Sequence, residues 1–396
     1  MEIIMSVDER TNLRLKETLK ETEAAAGAEP QVIRIVLTGG PCAGKTTALS
    51  WIKNEFGRRG YRVLIVPETA TELLTGGVAP WTCSSNLQYQ VFQMHLQLEK
   101  ERIFTEASSG MKADKVLIIC DRGALDNKAY MDDQEFEIVL NKLGLSEVEL
   151  RDTYDAVFHL VTAAKGAEEA YTTSNNQART ETVEEAVRID ERIVAAWTGH
   201  PHLRIIDNST GFEAKLRRLL SEITAFLGEP VSMQIQRKYL IRFPDLAWLQ
   251  QQESCKRVEI IQTYLYSADD EEIRVRQRGV DGHFVYYETK KRKINGVKRY
   301  IIERRLSYEE YLTCLLDADV QRRPVRKTRY CLTWENQYYE IDVYPFWKDR
   351  AVLEIELQQE DQEIRIPDQL NVIREITDED AYKNAAISIK IPEEEI

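Results

Sequence analysis

The stretch GGPCAGKTT, residues 39–47, follows the apolar run VIRIVLT and has the spacing Gly, four residues, Gly-Lys-Thr. That pattern suits one task, the holding of a chain of phosphates. Gly39 and Gly44 permit backbone angles that side chains forbid. The loop N–H groups and the first turn of the following helix then face the phosphate oxygens. Lys45 is expected to reach the β- and γ-phosphates, and the Thr46 hydroxyl to ligate Mg²⁺. The nucleotide-binding set read from the sequence is Gly39, Gly40, Pro41, Cys42, Ala43, Gly44, Lys45, Thr46 and Thr47. A glycine turn with an accidental lysine is the competing reading; the strand-like run before it and the helical pattern after it argue against that. No Asn/Thr-Lys-x-Asp reader of guanine appears at the expected place. The cofactors expected are therefore Mg²⁺ and either ATP or GTP.

What happens to the triphosphate depends on other strand ends, because ligands of parallel sheets sit outside the carboxyl ends of the strands. The run RVLIV (62–66) leads into Pro67-Glu68-Thr69, and KVLIIC (115–120) into Asp121-Arg122-Gly123. Glu68 can take the proton of an attacking hydroxyl, and Asp121 can hold Mg²⁺ through water or act as the base. Either carboxylate can equally be an acidic cap on the next helix. Arg179, Arg188 and Arg192 lie in a charged segment before the last strand. They can close over the phosphates, or form a solvated network with Glu184. The catalytic set is Lys45, Glu68, Asp121, Arg122, Arg188 and Arg192. Trp81, Tyr89, Phe92 and Gln93 would line an acceptor pocket, or simply pack the core, as aromatics at helical spacing commonly do.

These residues need a scaffold, and the chain supplies two patterns. Residues 1–30 read as a charged, alanine-rich tail. From 31 to 228, apolar runs at 32–37, 62–66, 115–120, 155–161 and 203–207 alternate with helical segments. This predicts an α/β domain with a five-stranded parallel sheet covered on both faces. From 232 to 396 the period becomes two, as in EIRVRQR, KTRYCLTW, YYEIDVY and AVLEIEL, which predicts an antiparallel β-barrel with some helix. Alternate side chains of a strand share a face. Arg274, Arg276 and Arg278 share one, as do Glu288 and Lys290, Lys327 and Arg329, Glu340 and Asp342, and Glu354 and Glu356. In a closed barrel these faces form a polar lumen, where the cations grip a polyanion and the carboxylates hold a metal. In an open sheet they point to water.

The full sequence of 396 residues carries a net charge of −13, which argues against bulk nucleic-acid binding. Its six cysteines include no C-x-x-C pair and read as reduced thiols. No signal-peptide pattern opens the chain and no apolar run approaches 18 residues, so a cytoplasmic protein with no transmembrane segment is expected.

The loop, together with VPETATELL, CDRGALDNKAYM and the spaced arginines at 179, 188 and 192, resembles the P-loop kinase-like domain of nicotinamide riboside kinase and of the AAA domain of the TRP-translocation-defect family. Residues from about 232 onward, with QIQRKYLI, RVRQR, ETKK, KTRY, YEIDVY, LEIEL and ITDEDAYKNAAIS, resemble the CYTH, or triphosphate tunnel, superfamily. That resemblance implies phosphate contacts from Lys238, Arg274, Arg276, Arg278, Lys290, Lys327 and Arg329, and metal ligation by Asp342, Glu354 and Glu356, with Glu303 as a further acidic candidate. The superfamily's opening Glu-x-Glu-x-Lys reads Gln234-Ile235-Gln236-Arg237-Lys238 here. Two uncharged amides in place of carboxylates imply binding without efficient triphosphate hydrolysis. The combined resemblance implies a nucleotide-binding protein that is a slow NTPase or small-molecule kinase. Its tunnel would take a phosphorylated small molecule, a polyphosphate or a phosphoinositide headgroup, with peripheral membrane contact in the last case. The alternatives are a non-catalytic GTP- and phosphoinositide-binding trafficking adaptor and a tunnel-type tripolyphosphatase.

Overall fold

The computed structural model describes residues 30–167, 169, 182–228, 235–267, 271–293, 299–357 and 361–393. The N-terminal tail, Arg179 and Gln234 lie outside the described residues. Two sheets organise the chain, and both match the architecture expected from the sequence.

The first is parallel. Its strands are β1 (Gln31–Gly39), β2 (Arg62–Val66), β3 (Lys115–Asp121), β4 (Ala156–Leu160) and β5 (Leu203–Ile206), in the order β2-β3-β1-β4-β5. The strands read as unbroken apolar runs because both faces are covered. Val36, Val116, Ile118 and Cys120 face one core, while Ile35, Leu37, Leu117 and Ile119 face the other. The first core is closed by α3 (Asn86–Ser109), α4 (Asp133–Leu143) and α6 (Val183–Trp197), the second by α1 (Lys45–Arg58) and α7 (Phe212–Phe226). Shorter helices α2 (Thr69–Thr75) and α5 (Glu147–Arg151) complete this half. β1 sits centrally, between β3 and β4, so its C-terminal loop opens at the switch in strand order where such sheets bind ligands.

The second sheet is antiparallel and has nine strands: β6 (Ile235–Arg242), β7 (Cys255–Leu265), β8 (Glu271–Val280), β9 (His283–Lys293), β10 (Arg299–Leu306), β11 (Val325–Trp334), β12 (Gln337–Val343), β13 (Arg350–Leu357) and β14 (Val372–Glu375). The order is β10-β9-β8-β7-β11-β12-β13-β6-β14. One face is apolar: Ile241, Leu332, Tyr339, Ile341, Leu353 and Ile355 pack under Leu249 of α8 (Leu246–Gln251) and under Leu370. The opposite face carries the charged residues, and it too is withdrawn from water; the Lys327 side chain is 3% exposed and that of Asp342 is 0%. At one end of this inner face, Leu240, Tyr264, Val325, Tyr344 and Val352 pack against Ile376, Tyr382 and Ile387 of the C-terminal segment. At the other end lies the first half of the molecule, through Val148 on Val285 and Tyr287. A further helix, α9 (Tyr308–Cys314), follows β10. Among the described residues no helix is long and apolar enough to cross a membrane.

Phe56 is fully buried beneath the parallel sheet and meets Tyr61 edge-on at 5.9 Å. Phe56→Ala is expected to destabilise the first half by about 3–5 kcal/mol, read as a lowered denaturant midpoint. A change within error would show that this core does not carry the fold.

Candidate nucleotide site and charged inner face

The phosphate loop joins β1 to α1. Its bends require positive φ at Gly39 (148°), Cys42 (58°) and Gly44 (92°). Gly44 is restricted twice, because a Cβ there would also stand 2.5 Å from the Phe212 ring. α1 has no side-chain cap and no acidic residue in its first turn, which leaves its N-terminal N–H groups to an anion. Thr46 and Thr47 are exposed in that turn. Lys45 Nζ donates to the Gly39 carbonyl at 3.2 Å. Burial, aided by the neighbouring Arg122, pulls its pKa down to about 8.

Three braces that the sequence reading missed hold the loop from outside. Asp190 Oδ1 accepts from Gly40 N at 2.8 Å, from Thr162 N at 3.1 Å, and lies 3.1 Å from His159 Nε2. The Thr162 hydroxyl donates to the Pro41 carbonyl. Buried Lys215 donates to Ala43 O (3.3 Å), Val161 O (2.7 Å) and Asn208 Oδ1 (2.7 Å), and burial pulls its pKa down to about 8. One signal was available: Asp190 stands among Ala186, Ile193, Val194 and Trp197 on the buried stripe of α6. A carboxylate there must have a partner.

The two strand-end carboxylates have opposite environments. Burial raises the pKa of Glu68, but the Arg122 guanidinium and Lys45 more than reverse this and bring it to about 2. Glu68 Oε1 accepts from Arg122 Nε at 2.5 Å and Oε2 from the Thr71 hydroxyl at 2.7 Å. Such a carboxylate is a weak proton acceptor, so the role of base expected for Glu68 is corrected to that of a fixed anion holding Arg122. Asp121 is the reverse case. Burial dominates and raises its pKa, and its Oδ1 is buried without a hydrogen-bond partner. Arg122 adopts the left-handed backbone region (φ 70°), and its N–H donates to Leu37 O at 3.0 Å. Asp126 anchors the surroundings, accepting from Thr38 Oγ1 and Trp197 Nε1 at 2.6 Å each.

Other expectations need correction. Arg192 does not cover the loop; its Nη2 donates to the Met131 and Lys128 carbonyls, because α6 turns Asp190 toward the loop instead. Arg188 is exposed. Trp81 and Phe92 are exposed, at 80% and 48%, so they do not pack the core. Tyr89 is buried, with burial pushing its pKa up to about 12, and Gln93 donates to Asn127 Oδ1 at 2.6 Å.

On the inner face, each carboxylate has cationic partners. Asp342 receives Lys327, and Arg329 Nε and Nη2 at 2.7 Å each. Those cations hold its pKa far below the usual carboxylate range against the pull of burial, whereas burial brings Lys327 down to about 8. Glu354 receives Lys238 Nζ at 2.6 Å and the Gln236 amide at 3.3 Å, with Arg329 at 3.6 Å. Arg276 pairs with Glu303 at 3.0 Å, and the Arg274 Nε is buried without a hydrogen-bond partner. Two predicted phosphate contacts are elsewhere. The β8–β9 register sets Arg274 opposite Thr289 and Arg276 opposite Tyr287, so Lys290 falls on the other face. It is 43% exposed and 3.4 Å from Glu288. Arg278 lies at the contact with the first half, on Asp152 (3.2 Å) and Gly199 O (2.7 Å). The predicted metal trio is not assembled either. Glu356 pairs with Arg204 of β5, Asp342 and Glu354 are taken by cations, and no group of three or more metal-ligating side chains exists among the described residues.

Residues 34–215 match the model of a family described as an AAA domain. No curated protein matches the chain. Among solved structures, the chain is similar to the inorganic triphosphatase NE1496, with 28% identity over 41% of this chain and 99% of that one, and a TM-score of 0.29. It is similar to the PH1819 protein of Pyrococcus horikoshii OT3, with 19% identity over 32% of this chain and 81% of that one, and a TM-score of 0.25. It is also similar to thymidylate kinase from Ehrlichia chaffeensis, with 15% identity over 50% of this chain and all of that one, and a TM-score of 0.33.

Asp342→Asn would leave buried Lys327 without its ion-pair partner, and Arg329 with only Glu340 and Glu354. A loss of about 3–5 kcal/mol is expected in urea unfolding of the second half; a loss below about 1 kcal/mol, the size seen for exposed pairs, would contradict the buried-network description.

Proposed function

We propose that the first half binds a Mg²⁺–nucleoside triphosphate, ATP or GTP, and transfers its γ-phosphoryl group to a small-molecule hydroxyl or, slowly, to water. The observation that carries this reading is Asp121, a half-buried carboxylate whose Oδ1 is buried without a hydrogen-bond partner and whose pKa is raised, near Lys45 at the end of the strand beside β1. The match of residues 34–215 to an AAA domain supports the nucleotide site.

In this reading the loop N–H groups and the bare end of α1 take the β- and γ-phosphates, and Lys45 leaves the Gly39 carbonyl to reach them. Thr46 fits a bound Mg²⁺, which would draw charge from the phosphate oxygens. The acceptor oxygen bonds to the γ-phosphorus while the bond to the β–γ bridging oxygen breaks, and the nucleoside diphosphate departs. Asp121 receives the acceptor's proton. Arg122, held by Glu68 and Asp126, offers positive charge to the transferring group. The inner face of the second half holds a phosphorylated ligand, such as a polyphosphate or a phosphoinositide headgroup, by exchanging its internal carboxylates for phosphate oxygens. The amide at Gln236 favours holding such a ligand over cleaving it.

Nucleotide affinity and turnover would be measured together. Lys45→Ala should abolish turnover and weaken nucleotide binding without abolishing it. Asp121→Asn should lower turnover by about 10²–10⁴-fold while nucleotide still binds, the range for loss of a general base. Equal turnover in Asp121→Asn and wild type would sink the assignment. Nucleotide binding with no turnover for any acceptor would favour the second reading, a non-catalytic adaptor. A pH series gives a separate check. Lys45 grips phosphate as a cation, and burial pulls its pKa down to about 8 before nucleotide binds. Nucleotide affinity should hold steady between pH 7 and the approach to that pKa, then fall as pH rises through about 8, and Lys45→Ala should not show the fall.

A further inference from the structure

Helix α6 braces the phosphate loop, and the residues that follow it reach the second sheet. Midway along it, Asp190 Oδ1 holds the Gly40 N–H at 2.8 Å, with Thr162 and His159 on the same oxygen. Just beyond its C-terminal end, the chain is fastened to the second sheet. Arg278 Nη2 donates to Gly199 O at 2.7 Å, Tyr338 OH donates to His200 O at 3.1 Å, and the Thr198 and Thr333 hydroxyls are 3.0 Å apart. His202 Nε2 then stands 3.3 Å from Glu303, the carboxylate that also receives Arg276. Between the two attachments the chain is helical as far as Trp197. The helix starts with a capping box at Thr182 and Glu185 and ends on fully buried Trp197.

We propose that a nucleotide on the phosphate loop and a phosphorylated ligand on the inner face weaken each other's binding, with α6 as the strut between them. The proposal rests on both sites read above. Arg276 holds Glu303 through Nη2 while its Nε is buried without a partner, so an anion on Arg276 competes with Glu303, which is shared with His202 of the first half. Filling the inner face therefore disturbs the seat of residues 198–202. Phosphates on the loop act the other way, adding contacts to the segment that Asp190 already ties to α6 and so favouring the seated arrangement. Two ligands that prefer opposite arrangements of one element are antagonists, and the effect is reciprocal.

The test uses the full chain with Mg²⁺, a non-hydrolysable nucleoside triphosphate analogue and inorganic triphosphate, followed by calorimetry. Each is expected to bind alone. Saturating analogue should weaken inorganic triphosphate by about fivefold or more, the lower end of typical coupling between sites, and the reverse titration should show the same factor. Two interface variants separate coupling from competition for one site: Arg278→Gln, and the milder pair Tyr338→Phe with Thr333→Val. In both, the two ligands should bind with the mutual effect lost; if Arg278→Gln does not fold, the milder pair decides. Antagonism that survives in the variants means direct competition and overturns the strut. Unchanged or tightened binding in the wild type overturns it too, leaving the two sites standing. Failure of either ligand to bind alone overturns the corresponding site, and the coupling with it.

Discussion

Lys327 and Asp342 face each other almost entirely out of water, and a lone ion in such a place is strongly unfavourable. The second half of the molecule is arranged around this difficulty. Lys238, Lys327 and Arg329 are interleaved with Asp342, Glu340 and Glu354 so that each charge has its opposite within reach. The apolar neighbours Leu240, Val325, Tyr344 and Val352, under the C-terminal segment, keep water from one end of the face. The first half of the molecule covers the other end, where Arg278 finds Asp152 and Glu356 finds Arg204. A phosphorylated ligand would enter a field already balanced, which makes exchange of partners, not simple attraction, the basis of recognition.

The same physics divides the labour at the phosphate loop. Glu68 and Asp121 end adjacent strands of the parallel sheet and both feel burial, but Arg122 reaches only Glu68 with a hydrogen bond. One carboxylate becomes a permanent anion and the other a group open to a proton or a solvated metal. Identical chemistry in the sequence thus becomes two roles through one guanidinium.

Much of this was legible in the sequence. The glycine-lysine spacing and the five apolar runs pointed to the loop and the sheet that presents it. Strand parity correctly grouped Arg274 with Arg276, Lys327 with Arg329, and Glu340 with Asp342 as inward residues. Parity fails across strands, however. It pairs Glu288 with Lys290 but cannot say which face they take, and the β8–β9 register turns both away from Arg274. Arg278 shares parity with Arg276 yet is claimed by Asp152, 126 positions away. Asp190 and Lys215 were missed for a similar reason: their partners Gly40 and Ala43 lie 150 and 172 positions off, and only the folded sheet brings them together. Local patterns reveal what a residue can do; distant pairings decide what it is occupied with.

The contact between Gly40 and Asp190 also bears on how this chain can vary over generations. A methyl group at position 40 would lie 2.7 Å from the carboxylate oxygen and 3.1 Å from Thr162. Any side chain there displaces Asp190, and without Asp190 the Gly40 amide loses its acceptor. Neither residue can drift alone. Lineages descended from a common ancestor should keep both or replace both, so the pair behaves as a single heritable character, although its members stand in different elements far apart in the gene.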